Sequence, residues 1–331
     1  MEVKPPIDPV RWQPSAARRL PAPDLDRWLT IVPLPGLAPE DVVVDGRGGV
    51  YTGVVGGDVI RVDAESGSHE VVGNTGGRPL GLAVARDGRL LICDSHRGLL
   101  AMNLANGEIE TLVDSFEGRP LTFCSNAVEA SDGSVFFTES TDRFGYEHYK
   151  GAALEGRGSG SLFRLDVDGT VTRLVSGLHF ANGVTLTADE SAVVFAETTG
   201  ARVSKFWLTG PEAGTVTPLA EGLPGYPDNI STGPDGSIWV AMVSDRNAIV
   251  ERLATKAPIL RKLLWYLPYA WLPDVKPVVW VIAFDPDDGH VLTQLHASHS
   301  AFGSTTGVVQ EGNRVWLGGI GASAIAYFDL S

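Results

Sequence analysis

The stretch P-G-Y-P-D-N-I (224–230) sets a carboxylate, Asp228, beside an amide, Asn229, at the mouth of an apolar strand. Similar residues precede three other apolar strands at nearly equal distances. Glu40 stands eleven residues before Tyr51, Asn126 ten before Phe136, Asn182 twelve before Val194 and Asp228 eleven before Trp239. A single Asn or Asp at such a place is ordinary turn chemistry; four in phase argue for one shared site. Two carboxylates and two amides offer four hard oxygen donors, a set suited to a divalent cation and to Ca2+ first, with Mn2+ and Mg2+ behind it. Zn2+ fits least well, because no histidine or cysteine joins the set. Asn229 offers a fifth oxygen. Leu80 in R-P-L-G-L and Thr305 or Thr306 in S-T-T-G-V fall at the two remaining places, so one side of the mouth carries the metal and the other has room for an organic group.

Such a ring needs a scaffold that brings distant segments to one axis, and the chain repeats. An acidic or Asp-Gly turn followed by an apolar strand recurs six times, at 45–53, 87–94, 132–139, 189–197, 235–242 and 311–319. Asp-Gly supplies the positive φ of a hairpin turn, and the β-branched and aromatic run after it is strand chemistry. Tyr51, Leu91, Phe136, Val194, Trp239 and Trp316 are spaced by 40, 45, 58, 45 and 77 residues. That period predicts an all-β fold, a six-bladed β-propeller with four-stranded blades and a central-channel metal site. A pair of β-sandwiches leaves the repeats unexplained. The expected organisation is an N-terminal extension over 1–25 and a propeller over 26–331, with insertions at about 142–160 and 253–276. The last blade lacks an outer strand, which R-W-L-T-I-V-P-L (27–34) supplies by closing the ring.

The formal charge of −14 excludes a nucleic-acid partner, which needs a basic face, and weighs against an anionic membrane surface. No segment reads as a signal peptide or a membrane span, so a cytoplasmic protein is expected. Two cysteines, Cys93 and Cys124, are too few for a disulfide framework and are read as buried thiols.

Asp228 is the first choice of general base, and His96, after the second-blade strand, is a candidate proton shuttle. Tyr146, His148, His179 and His299 are candidate pocket residues, with Leu80, Thr305 and Thr306. Glu139 and Glu197 end strands and are read as structural. The 142–160 insertion is polar and glycine-rich and reads as a mobile rim. In the apolar 257–273 segment, Ile259, Leu260, Leu263, Leu264 and Leu267 fall at helical spacing. That segment has two readings, a lid over a hydrophobic substrate, or a surface for a homodimer or a peripheral membrane contact.

The stretches G-R-P-L-G-L (77–82), L-H-F-A-N-G-V (178–184), A-E-T-T-G-A-R-V (196–203) and P-G-Y-P-D-N-I (224–230) resemble the strictosidine-synthase-like branch of six-bladed propellers, near the adipocyte plasma-membrane-associated type. The broader superfamily holds the gluconolactonase (SMP-30) group and the calcium-dependent paraoxonases. The resemblance implies Glu40, Asn126, Asn182 and Asp228 as metal ligands, with Asn229 as in paraoxonases. Three departures matter. Gly307 or a neighbouring threonine stands where strictosidine synthase has its sixth-blade glutamate, so that condensation is not expected. Leu80 stands where paraoxonases have a histidine, and the adipocyte protein's membrane anchor is not expected. The function expected is metal-dependent hydrolysis of a small hydrophobic lactone or ester. The rivals are a non-catalytic binding propeller with a structural cation and a biosynthetic condensing or rearranging enzyme.

Overall fold

The computed structural model describes residues 4–23, 28–256 and 258–330, so the expected domain boundary at 25/26 and residues Arg27 and Ala257 lie outside the described residues. Six four-stranded antiparallel sheets form the blades of a ring. The innermost strands are Val43–Val44, Pro79–Val84, Cys124–Glu129, Ala181–Leu186, Gly225–Thr232 and Thr305–Glu311. The repeat residues Tyr51, Leu91, Phe136, Val194, Trp239 and Trp316 all sit on the second strand of their blade, as the spacing predicts. The sixth blade is completed by Thr30–Pro33, which pairs antiparallel with Ala324–Asp329 and closes the ring. Closure removes the open edges that an unpaired sheet exposes.

The hairpin turns follow their sequence. Gly88, Gly133 and Gly236 take φ of 85°, 83° and 86°. In the fourth repeat Glu190 occupies that place with φ 55°, a costlier choice that the same turn shape imposes.

Six hydrophobic cores lie between successive blades. One example joins Val194 and Val203 of the fourth blade to Ile238, Val240 and Ile282 of the fifth, and another joins Val32 and Ile325 of the sixth to Val50 and Ile60 of the first. Each blade buries both faces, so the ring holds as a unit. Cys93 and Cys124 are buried free thiols, as read, and burial and their mutual proximity push the Cys124 thiol up. Glu139 and Glu197 are each clamped by an arginine, Arg119 and Arg202, through two hydrogen bonds. Among the described residues no helix is long and apolar enough to cross a membrane.

A seventh core belongs to a cap over one end of the ring: Ile7, Phe144, Ala152, Leu154, Trp265 and Leu272. The cap contains helices α1 (Lys150–Glu155), α2 (Ala248–Ala254) and α3 (Pro258–Trp265), with the N-terminal segment laid across them. One expectation is corrected here. The 142–160 insertion is not a loop alone: it carries α1, Phe144 and Leu154 are core residues, and the buried Glu155 carboxylate binds Arg143 and the backbone of Asp8. The helix expected from the leucine spacing forms. Its wholly buried residues are Arg261 and Trp265, while Ile259, Leu260 and Leu263 face out. Arg261 goes inward because its guanidinium finds three carbonyls, those of Leu154, Glu155 and Val10, which no leucine could satisfy.

Candidate metal centre and pocket

Strand pairing assigns the ring residues one level each. The pairs Val43↔Tyr51, Ala83↔Leu91, Val128↔Phe136, Thr185↔Val194, Ser231↔Trp239 and Val309↔Trp316 are equivalent rungs. Three residues before each first-strand partner come Glu40, Leu80, Ser125, Asn182, Asp228 and Thr306. Two residues before come Asp41, Gly81, Asn126, Gly183, Asn229 and Gly307. Asn126 is therefore not level with Glu40, Asn182 and Asp228, as counting along the sequence suggested; Ser125 is. Of the two threonines at the sixth place, Thr306 holds it.

At these positions five inner strands carry a β-bulge. Ser125 and Asn126 together oppose Thr138, and Asp228 and Asn229 together oppose Ala241. A bulge breaks the strict in–out alternation and sends consecutive side chains toward the same channel. The result is two stacked rings.

The inner ring alternates polar residues with glycine, and the glycines are obligatory. A Cβ on Gly183 would stand 2.5 Å from Asn229 Cα, and one on Gly307 would stand 2.8 Å from Asp41 Cα. Each glycine lets the neighbouring strand come close enough for its polar side chain to reach the axis. There Asn126 Nδ2 donates to Asp41 Oδ2 at 3.1 Å and to Asn229 Oδ1 at 2.9 Å.

In the outer ring Asn182 Oδ1 accepts from Ser125 Oγ at 2.9 Å, and its Nδ2 donates to Thr198. Thr306 Oγ1 donates to the Glu40 carbonyl at 2.6 Å. Arg78, buried beside the ring, donates from Nη2 to Glu40 Oε2 at 2.9 Å. Three carboxylates thus share a buried site with one arginine. Burial raises the Glu40 pKa against the opposing pull of Arg78. It lifts Asp41 to about 7, and it pushes Asp228 well up, helped by the charges of Glu40 and Asp41. Asp228 Oδ1 is buried without a hydrogen-bond partner. With Arg78 offsetting one carboxylate of three, the ionised set lacks two positive charges, which is the charge of a divalent cation. The donor oxygens and the orphaned Asp228 atom fit such an ion.

Above the outer ring lies a pocket whose walls include Glu40, Asn182, Asp228 and Thr306 at its floor and Trp12, Phe123, Tyr146, Phe180 and Tyr226 above. The cap contributes Tyr149, Lys150, Val250, Ala254 and Leu272. Of the residues expected in the pocket, only Tyr146 and Thr306 line it. Leu80 is buried in its strand, and Thr305 spends its hydroxyl on the Val278 carbonyl. His96 is exposed, hydrogen-bonded to Glu147 at 2.7 Å, and lines a separate shallow cavity. His148 packs edge-on against Trp265 and Tyr269 in the cap. His179 stacks beneath Trp12 at 4.0 Å, and burial lowers its pKa to about 4. His299 is exposed and accepts from the Ala301 N–H.

Sequence reasoning missed Asp41, Arg78 and Trp12. Asp41 adjoins Glu40, but strand alternation argues that neighbours face opposite ways; only the inner-ring register says otherwise. Arg78 stands two residues before Leu80, in a stretch read only for its resemblance. Trp12 lies in an extension with no periodic signal.

The fold and the site define a β-propeller with an acid–amide ring in its central channel. More particularly, the profile of the SMP-30/gluconolactonase/LRE-like region matches residues 39–263, and the chain belongs to that family. Among curated proteins it is 34% identical over 300 residues to Protein STRICTOSIDINE SYNTHASE-LIKE 6 of Arabidopsis thaliana, covering 88% of this chain and 79% of that one. It is 32% identical over 240 residues to the adipocyte plasma membrane-associated protein of Salmo salar, covering 66% and 57%. Among solved structures, a gluconolactonase from Xanthomonas campestris superposes with a TM-score of 0.68 at 18% identity, covering 100% of this chain and 99% of that one. A calcium-binding regucalcin from Agrobacterium tumefaciens gives 0.62 at 15%, covering 89% and 91%. At these identities the structural likeness is one of fold.

Proposed function

We propose that this chain is a metal-dependent hydrolase of hydrophobic lactones or esters. The observation that carries the reading is Asp228 Oδ1, a buried carboxylate oxygen without a partner at the floor of an aromatic pocket. Glu40, Asn182 and Asp228, with Asn126 and Asn229 below, are the residues that would hold a divalent cation, Ca2+ before Mn2+, Mg2+ or Zn2+. Such a cation supplies a Lewis acid for a carbonyl oxygen. The family profile and the gluconolactonase among the structural neighbours support a lactone as substrate.

Asp228 is the general base in this reading. With one carboxylate oxygen toward the cation, which would lower its proton affinity, the other takes a proton as a water oxygen bonds to the acyl carbon. The proton then passes to the leaving oxygen as the acyl–oxygen bond breaks, and the carboxylate is restored. Tyr146, whose pKa burial raises, stays protonated and can donate a hydrogen bond from the pocket wall. Trp12, Phe123, Phe180 and Leu272 exclude water and favour an aryl or alkyl group over a sugar.

The test is hydrolysis of γ- and δ-lactones and aryl esters by chelated protein with Ca2+, Mn2+, Mg2+ or Zn2+ restored, beside Asp228→Ala. Turnover that returns with a cation and is absent in the variant supports the hydrolase. One observation favours a second reading: Asp41, Asn126 and Asn229 already bind one another, as a structural plug would. Tight cation binding without turnover of any substrate would select that non-catalytic propeller.

A further inference from the structure

We propose that the outer face of the cap docks the protein peripherally on an anionic lipid surface. The inference does not rest on the hydrolase reading. It starts from α3, which turns its apolar stripe away from the protein. Ile259, Leu260 and Leu263 are exposed, and the chain after the helix adds Tyr266, Leu267 and Trp271, with Tyr266 83% and Trp271 72% exposed. A contiguous apolar surface of this kind on a soluble fold marks a contact site. Tyr and Trp beside leucines are the residues of a membrane interface, where the ring enters the acyl boundary and the polar tip meets the headgroups.

Charge selects the partner. Over 247–277 four basic residues reach the surface, Arg252, Lys256, Lys262 and Lys276, while a fifth, Arg261, is buried; the acids of the segment are Glu251 and Asp274. Glu251 is largely buried against Arg246, Asp274 pairs with Lys150 but stays exposed, and the exposed Asp8 stands 3.9 Å from Lys262. Arg252, Lys256 and Lys276 have no ion pair among the described residues. The segment is thus net positive in a chain of net charge −14. The whole-chain charge weighed against an anionic surface. Docking, however, reads the charge within about a Debye length of the contact, roughly 8 Å at physiological salt, and there the sign is positive.

A second copy of this chain fits the face poorly. A two-fold contact sets a patch against itself, and Lys256 and Lys262 would then meet their own counterparts. With no described helix long enough to span, the contact is one of lying on the membrane. The inner side of the same segment lines the pocket through Val250, Ala254, Leu272 and Val275, so a lipid-dissolved substrate would meet the pocket wall directly.

The experiment is co-sedimentation of the full chain with vesicles of phosphatidylcholine alone or with about one-third phosphatidylserine. Binding is expected to the anionic vesicles and to fall about five-fold for each basic charge removed, as in Lys256→Gln and Lys262→Gln. Leu263→Asp and Trp271→Ser, both exposed and so compatible with folding, are expected to abolish it. Sedimentation velocity is run on the same proteins. Failure to bind anionic vesicles, or binding that survives Leu263→Asp and Trp271→Ser, overturns the proposal. So does a wild-type dimer that Leu263→Asp converts to a monomer, which would assign the face to a second copy.

Discussion

Arg78 Nη2 lies 2.9 Å from Glu40 Oε2, and both side chains are buried, with exposures of 3% and 12%. The pair lies at the edge of a ring whose other carboxylates, Asp41 and Asp228, have no arginine of their own among the described residues. Arg78 therefore sets the charge that the ring presents. Replacing it by methionine keeps the volume and leaves Glu40 uncompensated, at a cost of about 3–5 kcal/mol. Chelated Arg78→Met is expected to unfold at markedly lower urea than the wild type, with Ca2+ restoring more stability to the variant than to the wild type. Equal gains from Ca2+ in the two proteins would show that arginine and cation do not act on the same carboxylate.

Asp228→Asn should separate binding from folding. The substitution removes a buried charge whose Oδ1 has no partner, so the chelated protein is expected to be as stable as the wild type or more so. Cation affinity, read by titration calorimetry, is expected to weaken at least about ten-fold, within the range seen when the surroundings of a metal site are altered. A variant with lost stability and unchanged affinity would place Asp228 among structural residues.

Gly183→Ala tests the close approach of the fourth and fifth blades. The new Cβ would stand 2.4 Å from Ile230 N and 2.5 Å from Asn229 Cα, both backbone atoms that cannot step aside. A loss of about 1–3 kcal/mol is expected, with weaker cation binding as the inner ring spreads. Gly145→Ala is the control, since φ there is −68° and a Cβ would meet nothing closer than 3.5 Å. Thermal denaturation showing equal effects at the two positions would contradict the argument.

His179 gives the fold an acid limit. Burial under Trp12 lowers its pKa to about 4, from about 6.5 in an unfolded chain. Above pH 6.5 the residue is neutral in both states and has no effect. As the pH falls from 6.5 to 4, the unfolded chain takes a proton that the folded one refuses, and stability drops. His179→Phe keeps a ring under Trp12 and removes the proton. The stability difference between variant and wild type is expected to move in favour of the variant between pH 7 and 4.5. The difference is the proper readout, because the ring carboxylates, with raised pKa values, act in the opposite direction. A pH-independent difference would mean that His179 is not shielded.

The sequence by itself determined the propeller. Asp-Gly turns and alternating apolar strands are local signals, and six repeats of them leave only a closed ring, with Thr30–Pro33 as its last strand. It also placed acids and amides at one end of the inner strands, since Glu40, Asn182 and Asp228 fall in phase ahead of their strands. Tertiary structure decided which residues share a level. A bulge of one extra residue moves Asn126 inward beside Asp41 and Asn229, and neither bulge nor register leaves a trace in composition. Pairing within each blade, as of Ser125 and Asn126 against Thr138, fixes both. The same limit applies to α3. Its leucine spacing predicted a helix but left open whether the leucines face the protein or the solvent. Three carbonyls, contributed by the end of α1 and the N-terminal segment, turned Arg261 inward. Local chemistry fixed the element; distant partners fixed which face it hides.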